Sequence, residues 1–308
     1  MSAKPERRPL HLWLPALPRF APDHPLRPLL VRADRLADGA TGYLDGLGGH
    51  FPGAGSPLPA AALTRDYLGG DAAGHGWLSA DPAWVQPDIN GVRLLACGQM
   101  ELGMDDAQAL AAPLKPVFGD AGMQLEVTAP DRWHLRLPAG SPLPVFAAPE
   151  QAMGEDLAQH LPQGPEGKRW RLLLNEVQIL LHQHPLNAQR RARGRSPVNS
   201  LWLWGGGVLP ARLRSEWAGV ISDDVLLRAL AARAGTPHQS RTVEAMAAAG
   251  EGWLIDLQDL PADDIAARWW PVLRSLLARQ PVLLHFASGE RRQRKPWHRW
   301  RLWRGAGA

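Results

Sequence analysis

The stretch that decides the fold is "VNSLWLWGGG", Val198 to Gly207. Side chains alternate along an extended chain, so Trp202 and Trp204 take one face and Leu201 and Leu203 the other. A strand that is apolar on both faces is predicted to lie centrally in a parallel sheet, covered on both sides. Ligands in such sheets sit beyond the carboxyl ends of the strands. Gly205, Gly206 and Gly207 stand at that end. They have two possible jobs: to keep a crevice open for a ligand, or only to make a turn that needs a positive φ.

The flanking sequence supports a covered strand. Upstream, "KRWRLLLNEVQILLHQHPLN" places Trp170, Leu173, Leu174, Val177, Leu180 and Leu181 on one helical face, and Pro185 stops the helix. Leu172 and Ile179 fall off that face, so the helix is expected to be buried on more than one side. "AQRRARGRSP" then reads as a basic, exposed turn. Downstream, "SDDVLLRALAARAG" reads as a helix capped by Ser222 and stopped by Gly235. "GWLIDL" and "PVLLHFA" read as buried strands, separated by the helix "DDIAARWWPVLRSLLARQ" with a kink at Pro271. The alternation of strand and helix predicts an α/β fold, a doubly wound and mainly parallel sheet.

A second pattern interrupts it. Val92 to Ala96 reads as a strand, and Met104 to Phe118 as a helix capped by Asp105 or Asp106 and shortened by Pro113 and Pro116. "MQLEV" and "RWHLRL" alternate around the turn "APD", which predicts a hairpin. The expected organisation is a discontinuous core, 1–75 and 151–308, with a small inserted α+β domain at 76–150.

Composition excludes several classes. Among 308 residues Cys97 is the single cysteine, so neither an internal disulfide nor a cysteine metal cluster is available. The apolar runs are too short and too interrupted to span a membrane. The N-terminal stretch, broken by Pro15 and Pro18, reads as mature protein, and the cytoplasm is the expected compartment. Between Glu290 and Arg304 seven Lys or Arg face one Glu. The net charge of the whole chain is only +4, so the remainder is net acidic and is not a nucleic-acid surface. Trp297, Trp300 and Trp303 interleave with those arginines. The favoured reading packs the tryptophans on the core with the arginines in water; stacking on a nucleic acid is the weaker one.

"HPLNAQRRARG" followed by "PVNSLWLWGGG" resembles the archaeal-type cofactor-independent phosphoglycerate mutases, and the similarity runs in order along most of the chain. "RADRLADGATGYL" is similar to an early segment of that family. "PGAGSPLPAAALTRDYLGGDA" looks like its nucleophile loop, and "AGVISDDVLLRALAARAG" like the helix after its Trp-Gly loop. Within it the chain is most similar to a bacterial group described as regulatory protein RpfE. The resemblance implies an alkaline-phosphatase-like core. It also implies chemistry in which two divalent metals, such as Mn²⁺ or Mg²⁺, activate a serine and clamp phosphoryl oxygens.

The residues such chemistry requires are largely missing. The first strand, "HLWLPALPRF", has no Asp where the family has Asp-Gly. Ser56 stands at the serine's place, but Pro57 replaces the following metal-binding Asp. "GWLIDLQDLPADD" offers Asp256, Asp259, Asp263 and Asp264 without a His, His285 lacks its preceding Asp, and His298 only loosely matches the last family His. Two close cations cannot be held by half their anionic ligands. The expectation is therefore a mutase-like chain without the two-metal site and without a cofactor, in a regulatory or ligand-binding role. Its expected partner is a small phosphorylated ligand or another protein. An active phosphoryl-transfer enzyme, with two divalent metals, is the alternative.

The candidates for a ligand crevice are Asn175, Gln178, His182, Asn187, Asn199, Trp204 and Gly205 to Gly207. Asn175, Glu176 and Gln178 are expected to form a structural network in preference to a ligand site. Ser56 reads first as a loop serine, and His182 and His184 as partners of the last helix carbonyls. Arg190, Arg191 and Arg193 read as a solvated face, Asp223 and Asp224 as first-turn acids.

Overall fold

A computed structural model describes residues 8–89 and 91–301. The basic start of the N-terminal stretch, and Trp303 and Arg304 of the basic tail, lie outside the described residues. The strands are β1 Leu10–Leu14, β2 Asp34–Arg35, β3 Gly76–Asp88, β4 Gly91–Cys97, β5 Gln124–Ala129, β6 Arg132–Leu137, β7 Ser200–Val208, β8 Gly219–Ile221, β9 His238–Gln239, β10 Trp253–Asp256, β11 Val282–Phe286 and β12 Arg291–Arg294. The chain divides into two compact units, 1–54 with 212–308, and 55–211.

The first unit is the mainly parallel α/β core. Its sheet runs in the order β2-β12-β11-β1-β10-β8-β9. β11, β1, β10, β8 and β9 are parallel, and β12 and β2 close one edge antiparallel. Leu10, Leu12, Leu14, Ile255, Val282, Leu284 and Phe286 point to one face and pack against Trp269, Val272, Leu273, Leu276 and Leu277. Those last residues belong to the segment with Pro271. Its helix opens at Ala262–Asp264, passes through a π-helical turn at Ile265–Trp269 and continues as Trp270–Arg279. Pro271 cannot donate a backbone N–H and crowds the preceding turn, which fits the π-helical stretch just before it. The opposite face carries His11 and Trp13. It is covered by the helix Tyr43–His50, whose Gly46 lies so close that an added Cβ would stand 2.6 Å from the Trp13 ring.

The second unit is an α+β layer around an antiparallel sheet. β3 pairs with β4, β6 and β7, and β6 with β5. This corrects two expectations. β7, which holds Leu201 to Trp204, runs antiparallel to β3 in the same sheet as the Met123–Leu137 hairpin, and is not a strand of the parallel core. The second unit is accordingly larger than the 76–150 insertion. Leu201 and Leu203 pack with Trp170, Leu174, Val177 and Leu181 of the helix Gly164–His182, and the helix Ala60–Gly69 also packs against β7 and β3. A strand between two helical layers is apolar on both faces whatever its direction.

Several local readings change as well. Leu172 and Ile179 are exposed, so the Gly164–His182 helix buries one face. The Met104–Ala111 helix is capped by Gly103, with Asp105 and Asp106 in its first turn, and the chain re-enters a helix at Leu114–Asp120 after Pro113. Asp224, not Ser222, caps the helix Val225–Arg233 by accepting from Leu227 N at 2.7 Å. Gly235, at φ +67°, ends that stretch as expected. Arg190 is buried rather than solvated and donates to the Ser196 and Met100 carbonyls. Trp297 and Trp300 are exposed, beneath Lys295 and Arg299 respectively, because the turn Pro296–Trp300 buries His298 instead.

Candidate functional site

Two places in the parallel core concentrate chemistry. The first is at the carboxyl ends of its strands. Pro15 follows β1 directly, so no carboxylate projects there. At the end of β10, Asp256 is fully buried. It accepts from the Ser222 hydroxyl at 2.7 Å and from Gln258 N at 3.1 Å. The Arg241 guanidinium, its side chain 2 % exposed, donates to Asp259 at 2.6 Å and stands 4.0 Å from Asp256. Burial, reinforced by repulsion from Asp224 and Asp259, pushes the Asp256 carboxyl up to about 7.

This arrangement does not fit a pair of divalent cations. The positive charge beside Asp256 and paired with Asp259 is an arginine, which has no open coordination position, and an ion beside it would be repelled. No phosphoryl-transfer step through metals is derived for this chain.

The second place is the face of the sheet beneath the Tyr43–His50 helix. The β1–β11 register pairs His11 with Leu283 and Trp13 with His285. His11 and His285 are thus diagonal neighbours on one face. The helix ends with His50 above them. Ring centroids lie 4.9 Å apart for His11 and His50, 5.5 Å for His11 and His285, and 5.8 Å for His50 and His285. One ligating nitrogen from each ring lies within 4.8 Å of the others. Trp217 donates to the His50 carbonyl at 3.0 Å and packs edge-on to both His11 and His50.

These residues line a cavity of about 460 Å³, with Arg8, Arg291 and Gln293 on its walls. Arg291 is opposite His285 across the β11–β12 ladder. The three histidines are buried, and no protein group bonds their Nε2 atoms. Burial lowers all three pKa values, that of His50 to about 3, and Arg291 lowers each of them further. The imidazoles are therefore neutral at neutral pH. The Ala40 backbone acts on the His285 pKa in the opposite direction.

The sequence-derived crevice residues belong to the second unit and have structural partners. Asn187 is buried, donates to the Leu181 and Val198 carbonyls and accepts from Val198 N. Asn199 exchanges hydrogen bonds with the Val85 backbone. Gln178 reaches the Ser200 hydroxyl at 3.3 Å, while Asn175, His182 and Ser56 are exposed. The Trp204 indole donates to Asp81 at 2.8 Å. An added Cβ on Gly205 would stand 2.7 Å from Ala60 Cβ, on Gly206 2.7 Å from Leu143, and on Gly207 2.7 Å from Pro59. The glycines admit neighbouring chain, not a ligand, so the crevice at this strand end is corrected to close packing.

His11 and His50 escaped sequence reasoning, and His285 was weighed only against the mutase pattern. The usable signal was a histidine inside each of two wholly apolar strands, "LHLWL" and "VLLHF", both of which are buried along their length.

No family model matches the chain. A stretch of 92 residues is 33% identical to the 2,3-bisphosphoglycerate-independent phosphoglycerate mutase of Methanosarcina mazei, covering 28% of this chain and 23% of that protein. A stretch of 62 residues is 39% identical to the probable enzyme of the same name from Geobacter sulfurreducens, covering 20% and 16%. The chain thus matches less than a quarter of the length of these curated relatives. Among solved structures, the cofactor-independent phosphoglycerate mutase from Thermoplasma acidophilum aligns over 94% of this chain and 90% of that one, at TM-score 0.41 and 15% identity. The PH0037 protein of Pyrococcus horikoshii aligns over 93% and 86%, at TM-score 0.48 and 13% identity. The relationship is to phosphoglycerate-mutase-like proteins. Among the described residues no helix is long and apolar enough to cross a membrane.

Proposed function

We propose that this chain is a phosphoglycerate-mutase-like protein of the RpfE kind that has lost two-metal phosphoryl transfer and binds a small phosphorylated ligand in a regulatory, cytoplasmic role. The observation that carries the loss is Arg241, buried among the carboxylates at the ends of the core strands. It meets their need for positive charge without a metal. Pro15 after the first strand and Pro57 after Ser56 point the same way.

The ligand reading rests on the cavity over His11 and His285. Arg8 is shared with Glu216, and among the described residues no carboxylate pairs with Arg291. The Arg291 guanidinium suits a phosphoryl group, which accepts charge-assisted hydrogen bonds. Purified protein is expected to show no isomerisation of 3-phosphoglycerate with Mn²⁺ or Mg²⁺. Calorimetric titration with 3-phosphoglycerate or inorganic phosphate is expected to give binding that Arg291→Ala abolishes. Turnover that needs added metal and disappears in Ser56→Ala refutes the loss of catalysis. Binding unchanged in Arg291→Ala refutes the ligand site.

A further inference from the structure

We infer that His11, His50 and His285 bind one divalent transition-metal ion of the zinc class through their Nε2 atoms. The site lies at mid-sheet beneath the Tyr43–His50 helix, apart from the carboxyl ends of the strands. It shares its cavity with the ligand reading but does not depend on it.

Three observations converge. First, the donor set is right. Three neutral imidazoles with an open fourth position are a recurrent set for zinc, and imidazole also suits copper, iron and nickel. Second, the donors are free. Buried polar atoms normally have partners, yet all three Nε2 atoms lack one. His285 is held against the Gly39 backbone, and no protein group competes for its Nε2.

Third, the geometry is close to ligation. Tetrahedral zinc with Zn–N of about 2.05 Å places its nitrogens about 3.3 Å apart. Here one ligating nitrogen of each ring lies within 4.8 Å of the others, so ligation needs the rings to draw together. Gly39 lies against His285, where a Cβ would stand 2.9 Å from Nε2, so a side chain there would crowd that nitrogen. The wall formed by Trp217 and Trp13 holds His11 and His50 edge-on.

Arg291 is a nearby positive charge and opposes a bare cation. The fourth metal position faces the same cavity, so an anion bound there answers both charges. This sets a sign: Arg291→Ala tightens metal binding in phosphate-free buffer.

The test is equilibrium dialysis of chelator-stripped protein against Zn²⁺ alone, with metal analysis. Wild type is expected to hold one zinc per chain, and His50→Gln and His285→Gln to lose it while keeping the far-ultraviolet spectrum of the fold. Wild type loaded with Co²⁺ is expected to show the visible absorption of a tetrahedral nitrogen site, which tests the inference without any variant. No stoichiometric zinc, a six-coordinate cobalt spectrum, or zinc retained by the His50→Gln/His285→Gln double variant overturns it. Phosphate titration of the stripped protein is read separately, so a metal site without phosphate binding, or the reverse, shows which reading failed.

Discussion

Replacing Gly205 by alanine tests the packing that the glycine run makes possible. Two costs combine there. Gly205 has φ +62°, a left-handed conformation that an L side chain adopts at about 1–2 kcal/mol. The new Cβ would also stand 2.7 Å from Ala60 Cβ. Ala60 is fully buried at the start of its helix and has no flexible end to move aside. Overpacking of this kind costs about 1–3 kcal/mol, so Gly205→Ala is expected to cost about 2–5 kcal/mol in all. Gly70 supplies the control. It has φ +75° with nothing within 4 Å of the added Cβ, so Gly70→Ala measures the backbone cost alone. Gly206 has no positive φ, and its Cβ would stand 2.7 Å from the Leu143 side chain and 3.1 Å from the buried Leu78, so about 1–2 kcal/mol is expected there. Urea unfolding followed by tryptophan fluorescence reads all three as midpoint shifts at constant m. A Gly205→Ala variant no less stable than Gly70→Ala would falsify the packing account.

Three further outcomes follow from buried charge. The Asp256 carboxyl holds a proton in the folded state that it releases near pH 3.8 when unfolded, and its folded value is about 7. Stability is therefore expected to fall as pH rises from about 4 to about 7, and Asp256→Asn to flatten that fall in urea titrations across the range. His134 has the opposite sign: burial lowers it to about 3, and its ring nitrogens are paired with the Thr64 and Thr128 hydroxyls. Its contribution is present above about pH 6.5 and lost toward pH 3, where the unfolded chain binds the extra proton; a His134→Gln variant with the same acid slope contradicts this. Arg132 donates to the buried Asp81 at 2.6 Å. Arg132→Met is expected to cost about 3 kcal/mol at neutral pH by leaving that carboxylate short of its cation, and adding Asp81→Asn to restore most of it.

The parallel core was legible because its strands and helices alternate and carry stop signals, such as Gly235. The place of β7 was not. Apolarity on both faces reports cover on both faces, and the Gly164–His182 and Ala60–Gly69 helices provide that cover for an antiparallel strand as well as two parallel neighbours' helices would. The absence of an Asp in the first strand, and of one after Ser56, was legible residue by residue. The histidine cluster was hidden for a topological reason. His11, His50 and His285 are far apart in sequence, and only the adjacency of β1 and β11 with the helix above them brings the rings together. No spacing rule encodes a contact that the strand order creates.

The two sites on the parallel sheet differ in how they treat charge, and that difference bears on function. At the strand ends, Asp259 is already paired with the Arg241 guanidinium, and the buried Asp256 carboxyl beside it is raised to about 7. Such a pair stabilises the loop geometry but cannot polarise a phosphoryl oxygen as a Lewis acid does. On the sheet face, the buried donors are neutral and uncommitted, and the nearest fixed charges are cationic. A site of that kind gains most from a metal with its anion, or from an anion alone, because either fills acceptors or donors that the protein leaves open. Arg241→Met separates the two roles. It is expected to destabilise the strand ends by leaving Asp259 unpaired and Asp256 without its cation, while zinc stoichiometry at the histidines stays the same. Loss of zinc in a folded Arg241→Met protein would mean that the two sites are one.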